Sequence, residues 1–266
     1  MEILNSERLN SRIQAEFSKE TKRKAMLRQV DLLLEKYDTS HLFSSLAVKI
    51  NAYLMGKINQ ELAAEFHKQE LRSYSLFTYE QENIVIFRFS TLNDAALPLF
   101  NVCLNTKKFK IFGVENDIKV IRVIRYPDIM INELKETPVP KVFRLLFASP
   151  ATYKQGKEYC HIFALPQLLY SVADKLRANE FIDIPNQTID TCDEILHIDA
   201  YSFASEKYAV KKGNRIPGFV GEAEFHLTGT EQQNASIMLL LRYACYSGLG
   251  AKTALGMGGM LIGHAN

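Results

Sequence analysis

The stretch YSLFTYEQENIVIFRF, residues 74–89, contains two short runs of strand-forming residues, Tyr74 to Tyr79 and Ile84 to Phe89. Aromatic and β-branched side chains dominate both runs, and such side chains favour the pleated, half-buried surface of a sheet. Residues 74–89 therefore predict two consecutive strands, around which the neighbouring segments can be placed.

The segments on either side of these strands complete a recognisable order of elements. Residues 44–67 carry apolar side chains at helical spacing, and residues 118–124 alternate as a strand does. Between them, Asn93-Asp94 predicts the cap of a short helix that contains Leu97, Phe100 and Leu104. Residues 29–35 favour a first strand, although a helix fits their periodicity nearly as well. The order β-α-β-β-α-β is that of a ferredoxin-like domain.

A second set of elements follows the punctuation Pro138-Val139-Pro140. The pattern predicts a strand, a helix, a strand pair, a helix and a closing strand at residues 142–147, 165–176, 195–203 with 219–227, 231–246 and 257–262. The fold class expected is α+β, with two tandem ferredoxin-like domains. The predicted division is a helical extension at residues 1–26, a first domain at 27–137 and a second at 138–266.

Composition narrows the class of protein without identifying it. The chain has 266 residues, of which 47% are hydrophobic, so it can bury one large or two medium cores. No stretch approaches the roughly 20 apolar residues of a membrane helix, and the polar N-terminus does not resemble a signal peptide. We expect a cytoplasmic protein with no membrane contact.

The cysteines and the charges point to neither a metal nor an obvious polyanion. Cys103, Cys160, Cys192 and Cys245 stand singly, which predicts reduced thiols and no metal or other cofactor. Acidic residues at positions 190, 193, 194 and 199 fit no ligand template. The formal net charge of +2 is small, but basic clusters occur at residues 19–24, 107–110 and 207–215.

The densest local signal is the loop SGLGAKTALGMGGM, residues 247–260. A nucleotide P-loop is excluded because Ala251 precedes Lys252 and a strand follows, and a Rossmann fingerprint is excluded by the C-terminal position. A loop without side chains can bring backbone N–H groups close to an extended polyanion, and Lys252 adds a positive charge. RNA is the expected ligand, and the alternative is a helix cap at Gly248 followed by a tight turn.

Four stretches resemble the CRISPR-associated endoribonucleases of the RAMP superfamily, which cut precursor CRISPR RNA within each repeat. The most specific is the loop GLGAKTALGMGGM, which resembles the family's C-terminal glycine-rich signature. The others are IPGFVG at residues 216–221, LLFASPATY at 145–153, and ELAAEFH at 61–67 followed by YSLF. The likeness covers roughly residues 28 to 263, and Ser149 replaces the usual threonine of the third stretch.

This resemblance implies metal-independent cleavage of CRISPR repeat RNA by the substrate's own 2′-hydroxyl. Its partners would be the precursor and the mature guide RNA, with effector-complex subunits and a homodimer as further candidates. The predicted RNA-binding residues lie in the glycine loop and the preceding basic cluster: Gly248, Gly250, Lys252, Thr253, Gly256, Gly258, Gly259, Lys211, Lys212 and Arg215. A non-catalytic RNA-binding subunit of an effector complex is the alternative, because RAMP proteins share this loop whether or not they cut.

The predicted catalytic residues are His67, Tyr53 and Arg72. Histidine can accept or donate a proton near neutral pH, and the resemblance assigns that role to His67. Arg72 is the nearest match to a lysine that many members place after the histidine, with Lys68 and Ser73 as alternatives. An unbroken helix would separate Tyr53 from His67 by about 21 Å, so a break is expected between Gly56 and Asn59.

Overall fold

The first half of the chain forms the predicted ferredoxin-like domain. The computed structural model describes residues 26–35, 43–111, 114, 116–180, 182–211 and 213–264. The predicted first strand, β1 (Met26–Leu34), begins three residues earlier than the sequence suggests. The rest of the predicted N-terminal extension lies outside the described residues.

The N-terminal sheet has the strand order expected of this fold. After β1 come α1 (Phe43–Met55), α2 (Gln60–Lys68), β2 (Tyr74–Gln81), β3 (Ile84–Thr91), α3 (Leu97–Asn105), β4 (Lys108–Phe109), β5 (Ile118–Arg125), β6 (Ile129–Met130) and α4 (Ile131–Glu136). The sheet runs β2-β3-β1-β5-β4, with β6 also paired to β1. Ignoring the short β4 and β6, the four strands of the β-α-β-β-α-β unit are ordered second, third, first, fourth.

The second half repeats this topology. Its elements are β7 (Val142–Ala151), β8 (Tyr153–Gln155), β9 (Glu158–Cys160), α5 (Leu165–Glu180), α6 (Asn186–Asp190), α7 (Cys192–Ile195), β10 (Leu196–Lys211), β11 (Asn214–Leu227), α8 (Glu231–Ser247) and β12 (Met260–His264). The sheet order β10-β11-β7-β12 is again second, third, first, fourth. The duplication read from the pattern is therefore confirmed as a duplication of fold, with one large apolar cluster centred in each half.

Element boundaries in the second domain also differ from the sequence prediction. The first strand of the predicted pair was expected to end near Phe203 and the second to begin at Phe219. Both strands instead continue toward each other as one long hairpin, with Lys207 opposite Pro217 and Tyr208 opposite Ile216. The intervening residues include a basic cluster and two glycines, which resemble a loop in composition, while ladder hydrogen bonds hold them as strands. The closing strand starts at Met260 rather than Met257, because the last loop glycines precede it.

The two domains meet through α8 and one face of the N-terminal sheet. Gln29 Nε2 on β1 donates to the carbonyl oxygen of Cys245 at 3.1 Å, and Ser75 Oγ on β2 donates to the carbonyl oxygen of Tyr246. Arg242 Nη1 donates to the carbonyl oxygen of Thr137 at 2.8 Å, which ties α8 to the connection between the domains. The end of α8, and the glycine loop after it, therefore lie where the domains touch.

A buried ion pair stiffens this face of the N-terminal sheet. Arg88 on β3 donates from Nε and Nη2 to the two carboxylate oxygens of Asp31 on β1, each at 2.7 Å. Tyr126 donates to the same carboxylate at 2.8 Å. Asp31 is 2% exposed and Arg88 8% exposed, so the bidentate geometry compensates for the loss of hydration.

Within the ranges given above, no helix is both long and apolar enough to cross a bilayer.

Candidate nucleic-acid interface

His67 lies in the last turn of α2, a helix that is separate from α1 because the chain breaks its helical course between them. The break predicted between Gly56 and Asn59 is confirmed, since α1 ends at Met55 and Asn59 caps α2 by accepting a hydrogen bond from Leu62 N at 2.7 Å. One residue before the histidine, Phe66 is fully buried. Consecutive helical residues point about 100° apart, so burial of Phe66 leaves His67 exposed.

Arg72 is close to His67 but is engaged with the protein. Its Nη2 donates to the backbone carbonyl oxygen of His67 at 3.1 Å, which satisfies a carbonyl at the C-terminal end of α2. Its Nη1 is buried, as are Gln69 Oε1 and Ser73 Oγ, and none of these three atoms has a partner among the described residues. Arg72 therefore positions the helix end, whereas Lys68 offers an exposed cation beside the histidine.

Tyr53 faces away from His67. Asn51, two residues earlier on α1, accepts a hydrogen bond from Tyr74 Oη at 3.3 Å, and Tyr74 packs edge-on against Phe66. Residues two apart on a helix point about 200° apart, so Tyr53 lies on the opposite side of α1. Its ring contacts Phe109 at 5.3 Å between centroids. The structure thus brings together two of the three predicted catalytic residues and separates the third.

The glycine loop has internal partners for most of its backbone. Gly248 has a φ of 67° and caps α8, as the alternative interpretation of this glycine proposed, with its N–H bonded to Ala244 O at 2.8 Å. The N–H groups of Gly250, Gly258 and Gly259 donate to Ser171 Oγ, Pro150 O and Ser149 Oγ. These four N–H groups therefore do not face a bound phosphate, contrary to the expectation from the sequence.

The loop glycines instead allow close packing between the domains. A Cβ at Gly259 would overlap the ring of Phe77 on β2, and one at Gly256 would overlap the hydroxyl of Tyr208 and the side chain of Ala47 on α1. Lys252 adopts the left-handed conformation with a φ of 63° and is exposed, whereas Thr253 is buried. Lys252, rather than the loop glycines, is therefore exposed to solvent.

A buried lysine that the sequence did not single out holds the start of this loop. Lys175 on α5 is 7% exposed, and its Nζ donates to the carbonyl oxygens of Ser247, Gly248 and Gly250 at 3.2, 3.0 and 3.2 Å. An ammonium group has three N–H donors, which matches three acceptors. Burial lowers the pKa of Lys175 to about 7. An isolated lysine within a helical pattern carries no sequence signal for such a role.

The remaining predicted RNA-binding residues belong to the β10–β11 hairpin. Arg215 is exposed and pairs in register with Ala209, while Lys211 is the last residue of β10. Lys212 lies outside the described residues. The hairpin projects its basic end beyond the part of β11 that pairs with β7, because that pairing starts at Phe219.

Two of the four acidic residues considered as metal ligands are used in other contacts. Asp190 accepts a hydrogen bond from Tyr170, and Asp199 Oδ1 lies 2.7 Å from His226 Nδ1. His226 also stacks on His197, with 5.2 Å between ring centroids. Across the part of the chain that the structure describes, no three His, Cys, Asp or Glu side chains are arranged to hold a metal ion.

Comparisons with known proteins find relatives that match the second domain with its C-terminal glycine loop, or most of the chain. Residues 145–260 match the family model for the CRISPR-associated endoribonuclease Cas6. A Cas6 from Streptococcus thermophilus is 26% identical over 232 residues, covering 84% of this chain and 93% of the relative. A Mycobacterium tuberculosis Cas6 is 24% identical over 243 residues, covering 88% and 76%.

Solved structures share the fold at lower sequence identity. A Thermus thermophilus Cas6 superimposes with a TM-score of 0.70 at 21% identity, covering 90% of this chain and 98% of the other. A Cas6 product complex gives a TM-score of 0.71, also at 21% identity, covering 90% of this chain and 99% of that one. The solved structures thus share the fold, while the family model and the two relatives confirm the resemblance to the CRISPR-associated endoribonucleases recognised in the sequence.

Proposed function

We propose that this protein is a metal-independent endoribonuclease that cuts CRISPR repeat RNA in the precursor transcript to give guide RNAs. The observation that carries the proposal is the placement of His67, exposed at the end of α2 and held there by buried Phe66 and by Arg72. Relatives named as Cas6 endoribonucleases along most of the chain support the same substrate.

Cleavage would use the 2′-hydroxyl of the nucleotide before the cut as nucleophile. Its oxygen attacks the adjacent phosphorus, the bond from phosphorus to the 5′-oxygen breaks, and the products are a 2′,3′-cyclic phosphate and a 5′-hydroxyl. His67 accepts the 2′-hydroxyl proton or donates a proton to the leaving oxygen. Lys68, exposed beside it, is placed to offset charge on the phosphate, and Arg72 acts indirectly by fixing the helix end.

RNA binding would involve the exposed cations near the glycine loop. Lys252 stands at the loop surface, and Arg215 stands near the end of the long hairpin. The loop glycines contribute by allowing the tight interdomain packing that fixes Lys252, with Thr253 buried beneath it. Effector-complex subunits and a second copy of the chain remain predicted partners.

The second candidate function is a non-catalytic RNA-binding subunit of a CRISPR effector complex. The observation that favours it is the isolation of His67, since Tyr53 faces away and Arg72 is already bonded to a backbone carbonyl. Such a protein would bind repeat RNA through the same cations without cutting it.

One experiment separates these functions. The purified protein is incubated in EDTA with repeat RNA from its own locus and with the same RNA carrying a 2′-deoxy substitution at the cut site. We expect cutting of the first RNA and none of the second, with a cyclic phosphate on the product. The His67→Ala variant should bind RNA normally and cut at least about 100-fold more slowly, since a general acid or base contributes about that much or more.

Two outcomes contradict the proposal. Tight binding of repeat RNA by the wild-type protein without any cutting supports the non-catalytic subunit. Cutting by His67→Ala at the wild-type rate removes His67 from the reaction.

A further inference from the structure

A basic groove lies on the side of α1 that faces away from His67. The groove is bordered by the end of α1, by α3 and by β4, and it encloses about 610 Å³. Its polar lining includes Tyr53, Lys57, Asn101, Asn105, Lys107 and Lys108. Three cations and an aromatic ring therefore border one depression.

The charged side chains that line this groove are all positive. Lys57 and Lys107 are exposed, and neither has a carboxylate partner among the described residues. Lys108 pairs with Asp117 at 2.8 Å, so its charge is partly compensated. No carboxylate lines the groove within the described part of the chain. An anionic ligand fits this lining.

The groove also has features that suit a nucleic acid rather than a simple anion. Lys57 Nζ lies 5.1 Å from the centre of the Tyr53 ring, which holds the ammonium group at the rim by a cation–π contact. The exposed amide of Asn101 can donate to and accept from the edge of a base. Lysines along a groove with an interleaved aromatic ring are typical of sites that follow a single-stranded backbone.

We propose that this groove binds a single-stranded segment of the substrate RNA that flanks the cut site. The inference rests on the proposed function for the identity of the RNA, but it assigns Tyr53 to binding instead of catalysis. Asn51, on the His67 side of α1, and Tyr53, on the groove side, point about 200° apart. A nucleotide in the groove is therefore distinct from the nucleotide that is cut.

The test compares the salt dependence of binding in matched variants. Lys57→Gln with Lys107→Gln removes two groove charges, and Lys154→Gln with Lys157→Gln removes two exposed charges from the β8–β9 hairpin, which does not line the groove. Affinity for precursor repeat RNA with its single-stranded flanks is measured by fluorescence anisotropy over a series of KCl concentrations. Lys57→Arg with Lys107→Arg keeps the charge and should behave as wild type.

The groove variant should lose affinity, and the slope of log affinity against log salt should fall by about 1.4, or about 0.7 for each lost phosphate contact. The effect should vanish with RNA trimmed to the minimal cut region. Equal slopes for the groove variant and the β8–β9 control would overturn the inference. A reduced slope together with a wild-type protein that never cuts would retain the groove and reject the nuclease.

Discussion

Replacement of Lys175 should change how the stability of the protein depends on pH. The ammonium group of Lys175 is buried against three carbonyl oxygens, and burial lowers its pKa from 10.5 to about 7. At a pH between these two pKa values, Lys175 is protonated in the unfolded chain and mostly deprotonated in the folded chain. Folding stability contributed by this residue therefore rises with pH across that window.

The size of this effect follows from the two pKa values. One pH unit inside the window corresponds to about 1.4 kcal/mol, and the gain from pH 7 to pH 9 is roughly 2 kcal/mol because titration is incomplete at the lower end. Neither Lys175→Met nor Lys175→Gln can titrate. As the pH rises from 7 to 9, the free energy of unfolding of the wild type should therefore increase by roughly 2 kcal/mol relative to that of each variant.

Urea denaturation of the three proteins at several pH values between 7 and 9 measures this difference. Lys154→Met serves as the control, because Lys154 is exposed and its replacement should leave the pH profile parallel to that of wild type. Parallel profiles for wild type and both Lys175 variants would refute the reasoning. Since Lys175 holds Ser247 and Gly250, the variants should also bind repeat RNA more weakly.

Two further predictions concern the contact between the domains and the ion pair within the N-terminal sheet. Gly259→Ala should destabilise the protein by about 1–3 kcal/mol in urea denaturation, because the new Cβ overlaps the Phe77 ring. The control Gly263→Ala places its Cβ in open space and should change the stability little. Equal losses of stability at the two glycines would contradict this packing. Asp31→Ala should lower the free energy of unfolding by about 3–5 kcal/mol, because it leaves Arg88 buried without its partner. Asp31→Leu combined with Arg88→Met should lower it by less than Asp31→Ala alone. Equilibrium unfolding measures both losses, and the opposite order would contradict this prediction.

Local sequence patterns determined the elements and their order. The aromatic and β-branched residues of 74–89 and the helical spacing before them predicted strands and helices that are present, and the same order recurs after residue 140. Asn59 predicted the break between α1 and α2, because a side-chain cap depends on residues three positions apart. Such signals are short in range, so one sequence is enough to read them.

Only the tertiary structure decided which side chains meet. Tyr53 and His67 are close in sequence, yet the direction of α1 is fixed by burial of its apolar face, and this turns Tyr53 toward α3 and β4. The loop glycines predicted an open phosphate site, but Ala47 and Phe77 of the first domain occupy the space beside Gly256 and Gly259. Lys175 lies more than 70 residues from the carbonyl groups that it binds. Contacts of this kind depend on how two domains pack, which periodicity and local propensity do not encode.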